Sequence, residues 1–198
     1  MYNSPHQFQP LLPSEGARTR LAPKVSETLE HSTLLCAGLH PTTALKVREL
    51  TCSMNSYYSN RIEQQETHPL NIERALANDF SNSPVVAKRQ RLAVAHIEAE
   101  KCLESQLNQS GYALSLDIAV SAHQELYGRI LEQNRMSPDG IVIEGGAMRK
   151  HDLQIGRHIP PAWASVPTFI AAWDKAYNKD WAANDLLIVA ACAHHRFT

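Results

Sequence analysis

The sequence predicts a mainly α-helical protein that contains one β-hairpin. Over several long stretches, apolar residues recur every three or four positions, which is the spacing of a helix that buries one face. The region from Ile141 to Gly156 instead has short aliphatic and β-branched runs separated by glycines, as in a hairpin. Proline and serine clusters separate these regions and mark the breaks between elements.

Helical spacing begins after Pro41 and returns after each break in the chain. A second helix is expected near Thr67, with Pro69 in its first turn, where the missing N–H of proline is tolerated. The last helix is expected from Asn184 onward. Five helices are expected before this last one. Their inward-facing positions, helix by helix, are Val47, Leu50, Met54 and Tyr57; Ile72, Ala75 and Leu76; Leu92, His96, Ala99, Leu103 and Leu107; Ala119, Ala122, Leu126 and Ile130; and Val166, Phe169, Ile170, Trp173 and Tyr177.

The first residues and the hairpin region depart from this spacing. Residues 1 to about 30 contain four prolines and little periodicity, which is typical of a flexible arm. Ser137–Gly140 reads Ser-Pro-Asp-Gly, a turn sequence, directly before the predicted hairpin. We therefore divide the chain into a flexible arm with its lead-in at 1–41, a helical region at 42–110, and a part at 111–198 that contains the hairpin.

Composition narrows the classes of function. Nineteen basic and twenty acidic residues give a formal net charge of −1, which offers nucleic-acid binding no support. The longest apolar run, Leu186–Ala193, is far too short to cross a membrane, and the first residues do not resemble a secretory signal. The four cysteines lack metal-ligand spacing and are expected to be free thiols. These features predict a cytoplasmic protein with no metal site.

Ser59 and Glu63 are the first candidate functional residues. They are four positions apart near the end of the first helix, so they lie on one helical face. The glutamate there could present a carboxylate to an arginine elsewhere, with Ser59 bonding that carboxylate or the backbone. The alternative is an ordinary solvated helix edge. No nucleophile elbow or singled-out pair of carboxylates marks a catalytic centre in the chain.

The segment Gly146–Pro161 is the second candidate. An exposed extended strand in a helical protein has unpaired backbone donors and acceptors, and these can recruit a strand from another chain. The alternative is a plain connecting hairpin. The residues alone leave both interpretations open.

In order along the chain, these segments resemble the Fic-domain protein adenylyltransferases whose inhibitory helix precedes the catalytic core. The inhibitory motif of that family is Ser/Thr-x-x-x-Glu-Gly/Asn, and Ser59 to Glu63 match its first five positions. At the sixth position, Gln64 stands where the family has Gly or Asn. Residues 66–76 fit the helix that usually follows in these proteins. The resemblance covers residues 42–198 and implies a Fic-like helical domain with a β-hairpin flap.

The later part of the chain is similar to the same family. Residues 149–161 resemble its target-docking flap, and the helix from Asp185 to Phe197 resembles the one that leads into its catalytic loop, H-P-F-x-D/E-G-N-G-R. That loop is expected within a few residues after Thr198 and is absent from the 198 residues. We therefore expect residues 111–198 to be a partial Fic core, cut before its loop by a genetic truncation or because the chain is incomplete.

The resemblance implies a concrete activity for a complete family member. Such proteins transfer AMP from ATP to a hydroxyl group of a target protein, with Mg²⁺ held by an acidic loop residue and a loop histidine as general base. Because the loop is not in these 198 residues, we expect no catalytic or metal-binding residue in them. The chain alone is expected to be inactive and to need neither ATP nor Mg²⁺.

The resemblance also assigns roles to residues that are present. Glu63 is the inhibitory carboxylate, which pairs with a loop arginine and blocks productive placement of the γ-phosphate, and Ser59 is its helper. A target protein is the expected partner, aligned by a flap strand that comprises Asp152, Leu153, Gln154, Ile155, Gly156 and Arg157. The alternative function is a non-catalytic helical interaction module that keeps both segments for partner binding. The coding frame beyond Thr198 would separate the two.

Overall fold

The computed structural model describes residues 7, 11–65, 67–110, 114–137, 140–154 and 156–197. Seven α-helices contain most of these residues: α1 Glu15–Ala37, α2 Pro41–Ile62, α3 Pro69–Leu76, α4 Pro84–Ser110, α5 Leu116–Gly128, α6 Val166–Tyr177 and α7 Ala183–Phe197. Short 3₁₀ helices lie at Glu132–Asn134 and Trp163–Ser165. In the described part of the chain, no helix is both long enough and apolar enough to cross a membrane.

The chain forms two compact units. Unit 1 comprises Met1–Gly38, Gly111–Ala119 and Met148–Thr198, and unit 2 comprises Leu39–Ser110 and Val120–Ala147. Each unit is therefore built from segments that are separate in the sequence, whereas the sequence-based division has three consecutive parts. Each unit has its own core of buried side chains.

Helix α1 begins within the stretch that the sequence predicts to be a flexible arm, so that expectation is wrong from residue 15 onward to about residue 30. The Ser14 Oγ accepts a hydrogen bond from the Ala17 N–H at 3.4 Å and caps the start of the helix. Only Val25 of this helix is buried, and Pro23 lies within it. Helix α1 contacts α7. A helix that buries one residue and contains a proline leaves almost no periodic signal in the sequence.

The core of unit 1 lies where α6 packs on α7. Trp173, Tyr177, Val189 and Ala193 form its buried cluster. The Trp173 indole N–H donates to the Ala193 carbonyl at 3.0 Å, which satisfies the buried polar atom of this ring. The fully buried Tyr177 accepts a hydrogen bond from the Leu11 N–H at 2.9 Å through its hydroxyl. The helical spacing predicted for residues 166–177 is confirmed here.

The core of unit 2 lies between α2, α3 and α4. Cys52, Ile72, Ala93 and Ile97 form its buried cluster, with Tyr57 packed against it. Small alanines on α4 let the neighbouring helices approach closely. The predicted helix with a proline in its first turn is confirmed as α3, which begins at Pro69.

The buried face of α2 is not the one that its apolar residues indicate. Val47 and Leu50 are exposed, with Leu50 59% accessible, whereas α2 buries Cys52, Ser56 and Asn60. The Ser56 hydroxyl donates to the Ala93 carbonyl at 3.0 Å, and the Asn60 amide donates to the Ser56 oxygen at 3.2 Å. Because these buried polar groups are hydrogen-bonded, the polar face can pack inward without a large desolvation penalty.

The predicted β-hairpin is wrong, because no β-strand occurs in the residues that the structure describes. In place of the hairpin, an isolated antiparallel bridge joins Met136 and Val142. The Gly140 N–H donates to the Ser137 carbonyl at 3.0 Å, in keeping with the predicted turn, although residues 138–139 lie outside the described range. One ladder step does not make a hairpin that holds its own register.

Two side chains bond to backbone groups on either side of the segment in which the flap strand was expected. Arg149 donates to the carbonyls of His151, at 2.9 Å, and Pro161. The Asp152 carboxylate accepts from the Trp163 N–H at 2.8 Å. The arginine and the aspartate therefore tie residues 149–152 to residues 161–163, and the described residues between them form a loop without a strand.

Candidate regulatory site at the end of helix α2

Ser59 and Glu63 lie together on the exposed side of the end of α2. Both residues are exposed, and the Glu63 N–H donates to the Ser59 carbonyl at 3.3 Å. The buried residues Ser56 and Asn60 form a stripe that anchors this part of α2. Ser59 follows Ser56 by three positions and Glu63 follows Asn60 by three, which is a rotation of about 60° around the helix. The buried stripe therefore fixes the helix, and the neighbouring stripe presents the hydroxyl and the carboxylate to the outside.

The helix ends immediately after Glu63 in a Schellman motif. The Gln65 N–H donates to the Asn60 carbonyl at 2.7 Å, and the Gln64 N–H donates to the Arg61 carbonyl at 3.1 Å. Gln64 has a φ of 57°, so it occupies the left-handed position of this cap. That position favours glycine and then asparagine, because a Cβ is strained there.

This geometry gives a physical reason for the sixth position of the motif. A helix that must stop directly after its glutamate needs a left-handed residue next, and Gly or Asn fits that need best. Gln64 adopts the required conformation in spite of its side chain. Gln64 therefore departs from the family motif in residue type, and its backbone is left-handed.

The electrostatics of the helix end are unfavourable for stability and suited to binding a cation. The carbonyl end of a helix has partial negative charge, and an acidic residue there costs about 0.3–1 kcal/mol. Glu63 lies at this end as the C-cap residue, and its carboxylate forms no ion pair with the described residues. Its chemistry allows a bidentate contact with a guanidinium group.

The predicted docking residues lie in the other unit. Asp152, Gln154 and Arg157 are exposed, and Leu153 is half-buried. Gly156 has a φ of 60°, which turns the chain. Ile155 lies outside the described residues. These residues belong to unit 1, whereas Ser59 and Glu63 belong to unit 2.

The described residues do not offer a set of ligands for Mg²⁺. Within 11–65, 67–110, 114–137, 140–154 and 156–197, no group of three or more His, Cys, Asp or Glu side chains could hold a metal ion.

Sequence reasoning missed the residues that hold this site in place. Asn60 anchors the last turn through its side chain, and its carbonyl accepts the longest-range bond of the cap. The four-residue spacing of Cys52, Ser56 and Asn60 places them on one stripe of the helix and could have indicated a buried face. Because Ser56 and Asn60 are polar, the same stripe is also typical of a solvated face.

No protein-family model, curated protein or solved structure matches the chain.

Proposed function

We propose that this chain carries the autoinhibitory helix of a Fic-type protein adenylyltransferase, with Glu63 as the inhibitory carboxylate and Ser59 as its helper. The observation that supports the proposal best is the end of α2. A glutamate lies at the C-cap, the residue after it is left-handed, and a serine lies one turn earlier on the same exposed stripe.

The mechanism follows from charge and position. In a protein in which the catalytic loop follows this chain, the Glu63 carboxylate holds the loop arginine through charge-assisted hydrogen bonds. The γ-phosphate of ATP then loses its positive partner and cannot adopt the orientation needed for AMP transfer. The hydrogen bonds of Ser56 and Asn60 keep the helix end in place, so the backbone that carries the carboxylate does not have to be ordered when it binds.

The flap strand is not part of this proposal. Target alignment by strand pairing needs an extended edge with free backbone groups, and the described part of residues 149–163 is instead braced by Arg149 and Asp152.

Exposed apolar side chains on α2 favour a second function, a helical interaction module without catalysis. Leu45 and Leu50 are more than half exposed on this helix. Such a module would bind a partner with or without a catalytic loop. The two functions differ in whether Glu63 controls a rate.

The test uses an extended protein in which an H-P-F-x-D/E-G-N-G-R loop follows residue 198. Glu63→Gly and Glu63→Ala should each raise the rate of AMP transfer about ten- to hundred-fold, since charge-assisted hydrogen bonds contribute about 1.5–3 kcal/mol. Glu73→Ala, which removes an exposed glutamate of α3, is the matched control and should leave the rate unchanged. Unchanged rates in both Glu63 variants, with Mg-ATP still bound, would refute the proposal.

A further inference from the structure

A cleft of about 550 Å³ lies within unit 2, between α2, α4 and the second half of α5. This volume is in the range of sites that bind small molecules. Its apolar lining is made by Ala99, Leu103, Leu107, Ala122 and Leu126. Lining residues on α4 extend from position 96 to position 107, which corresponds to a length of about 16 Å. The cleft is therefore elongated and apolar over much of its length.

Two polar side chains lie one turn apart on the α4 wall of this cleft. The Nδ1 atom of His96 and the Oε2 atom of Glu100 are buried and have no hydrogen-bond partner among the described residues. The other Glu100 oxygen accepts a hydrogen bond from the Asn55 amide at 3.1 Å. Buried polar atoms without partners are uncommon in folded proteins and call for an explanation.

The remaining charges of the lining are already paired. Arg48 forms an ion pair with Glu104. Glu100, by contrast, accepts a hydrogen bond from the neutral Asn55 amide and forms no ion pair with another of the described residues. The cleft therefore combines a long apolar surface with one uncompensated carboxylate and a neighbouring imidazole nitrogen.

We propose that this cleft binds a small, elongated molecule with an apolar body and one protonated amine, and that the amine contacts Glu100 and His96. An ammonium group has three N–H donors. It can satisfy Glu100 Oε2 and an acceptor Nδ1 of His96 at once. The apolar body covers Leu103, Leu107 and Leu126.

The charge of the lining selects an amine over an acid. A carboxylate ligand would need a free cation, and Arg48 is engaged by Glu104. A neutral alcohol would satisfy one acceptor at most with its single O–H donor and would leave the charge of Glu100 uncompensated. Three ligands with the same apolar body and different head groups therefore test the proposal directly.

The experiment titrates the 198-residue chain with 4-phenylbutylamine, 4-phenylbutanol and 4-phenylbutyrate, and follows the methyl resonances of the protein by NMR. The amine should bind at least about tenfold more tightly than the alcohol or the acid. The largest shifts should fall on methyl groups of Ala99, Leu103, Ala122 and Leu126. Equal affinity for the three compounds, or shifts confined to methyl groups outside the cleft, would overturn the proposal.

Variants then assign the preference to single groups. Glu100→Gln, which is nearly isosteric, should reduce amine binding to the level of the alcohol and leave alcohol binding unchanged. Glu104→Gln releases Arg48 and should raise the affinity for 4-phenylbutyrate several-fold. Ala122→Leu narrows the cleft and should weaken all three compounds. Retention of the amine preference in Glu100→Gln would contradict the assignment, as would self-association of the chain that displaces the probe from the cleft.

Discussion

Helices α2 and α3 end in the same backbone motif but with different chemistry. At the end of α3, the Asp79 N–H donates to the Arg74 carbonyl and the Asn78 N–H to the Ala75 carbonyl, both at 2.9 Å. Asn78 occupies the left-handed position, with a φ of 61°. Arg74 and Asp79 form an ion pair of 2.7 Å across this end. Residue type, charge and backbone are therefore in agreement at the end of α3.

At the end of α2, residue type and charge oppose the same backbone. Gln64 is left-handed where asparagine or glycine is preferred, and Glu63 adds negative charge to the carbonyl end of the helix. Departures of this kind concentrate at functional sites, where strain and unpaired charge are retained because they have a role. The end of α3 therefore favours stability, whereas the end of α2 favours presentation of a carboxylate.

The largest effect on stability is expected when the Gln90 side chain, which bonds to the backbone around the end of α3, is removed. Buried Gln90 accepts from the Ser81 N–H at 2.8 Å and donates to the carbonyls of Asn71, at 2.9 Å, and Asp79, at 3.3 Å. Gln90→Ala should lower the free energy of unfolding by about 2–4 kcal/mol, because it removes these bonds and leaves a cavity. Chemical denaturation measures this loss. Gln65→Ala, at an exposed glutamine beside the α2 end, is the control and should change stability by less than about 0.5 kcal/mol. Equal losses in the two variants would contradict the account.

A smaller effect is expected from exchanging the residues at the two left-handed positions. Gln64→Gly should raise the free energy of unfolding by about 1 kcal/mol, since the Cβ strain is removed, and Gln64→Asn by about half as much. Asn78→Gln should lower it by about 0.5–1 kcal/mol. Thermal melts of the three variants, compared with the unchanged chain, provide the measurement. If Gln64→Gly were destabilising, Gln64 would not be strained in the folded protein.

The smallest effect is a shift in one titration. The Arg74 side chain, through its hydrogen bond and then its charge, lowers the pKa of Asp79 below the usual value of 3.8. Because the folded-state pKa is the lower one, the stabilisation is present above about pH 3.8 and is lost as the pH falls through the folded-state pKa. NMR titration of the Asp79 carboxyl should show the lowered midpoint, and Arg74→Gln should return it towards 3.8. If Arg74→Gln left the midpoint unchanged, the Arg74–Asp79 ion pair would not be the cause of the lowered pKa of Asp79.

The sequence predicted the positions of α2, α3, α4, α6 and α7 well, because each has a helical spacing of apolar residues or a proline start. The helix expected through Ile130 ends earlier, as α5 at Gly128. It did not predict which face of α2 is buried. That face has Ser56 and Asn60, and whether a polar residue can be buried depends on a partner from another helix, here the Ala93 carbonyl. Such a partner cannot be read from local spacing.

The hairpin failed for a related reason. Glycine-separated aliphatic runs around Ile141 fit a hairpin, but pairing depends on whether the backbone groups find a second strand. In the loop that follows, Arg149 and Asp152 satisfy backbone groups through their side chains. That Ser59 and Glu63 lie on one side of α2 was predictable from their four-residue spacing. The left-handed conformation of Gln64 was not, since glutamine is an unusual choice for that position.

The central claim is that the charge of Glu63 restrains AMP transfer. The most direct measurement is the rate of AMP transfer by the Glu63→Gln variant of the loop-extended protein, because glutamine keeps the shape of the side chain and removes its charge. The account predicts a rate close to that of Glu63→Ala, about ten- to hundred-fold above the unsubstituted protein. A rate equal to that of the unsubstituted protein, with Glu63→Ala still fast, would contradict the claim and make the restraint steric.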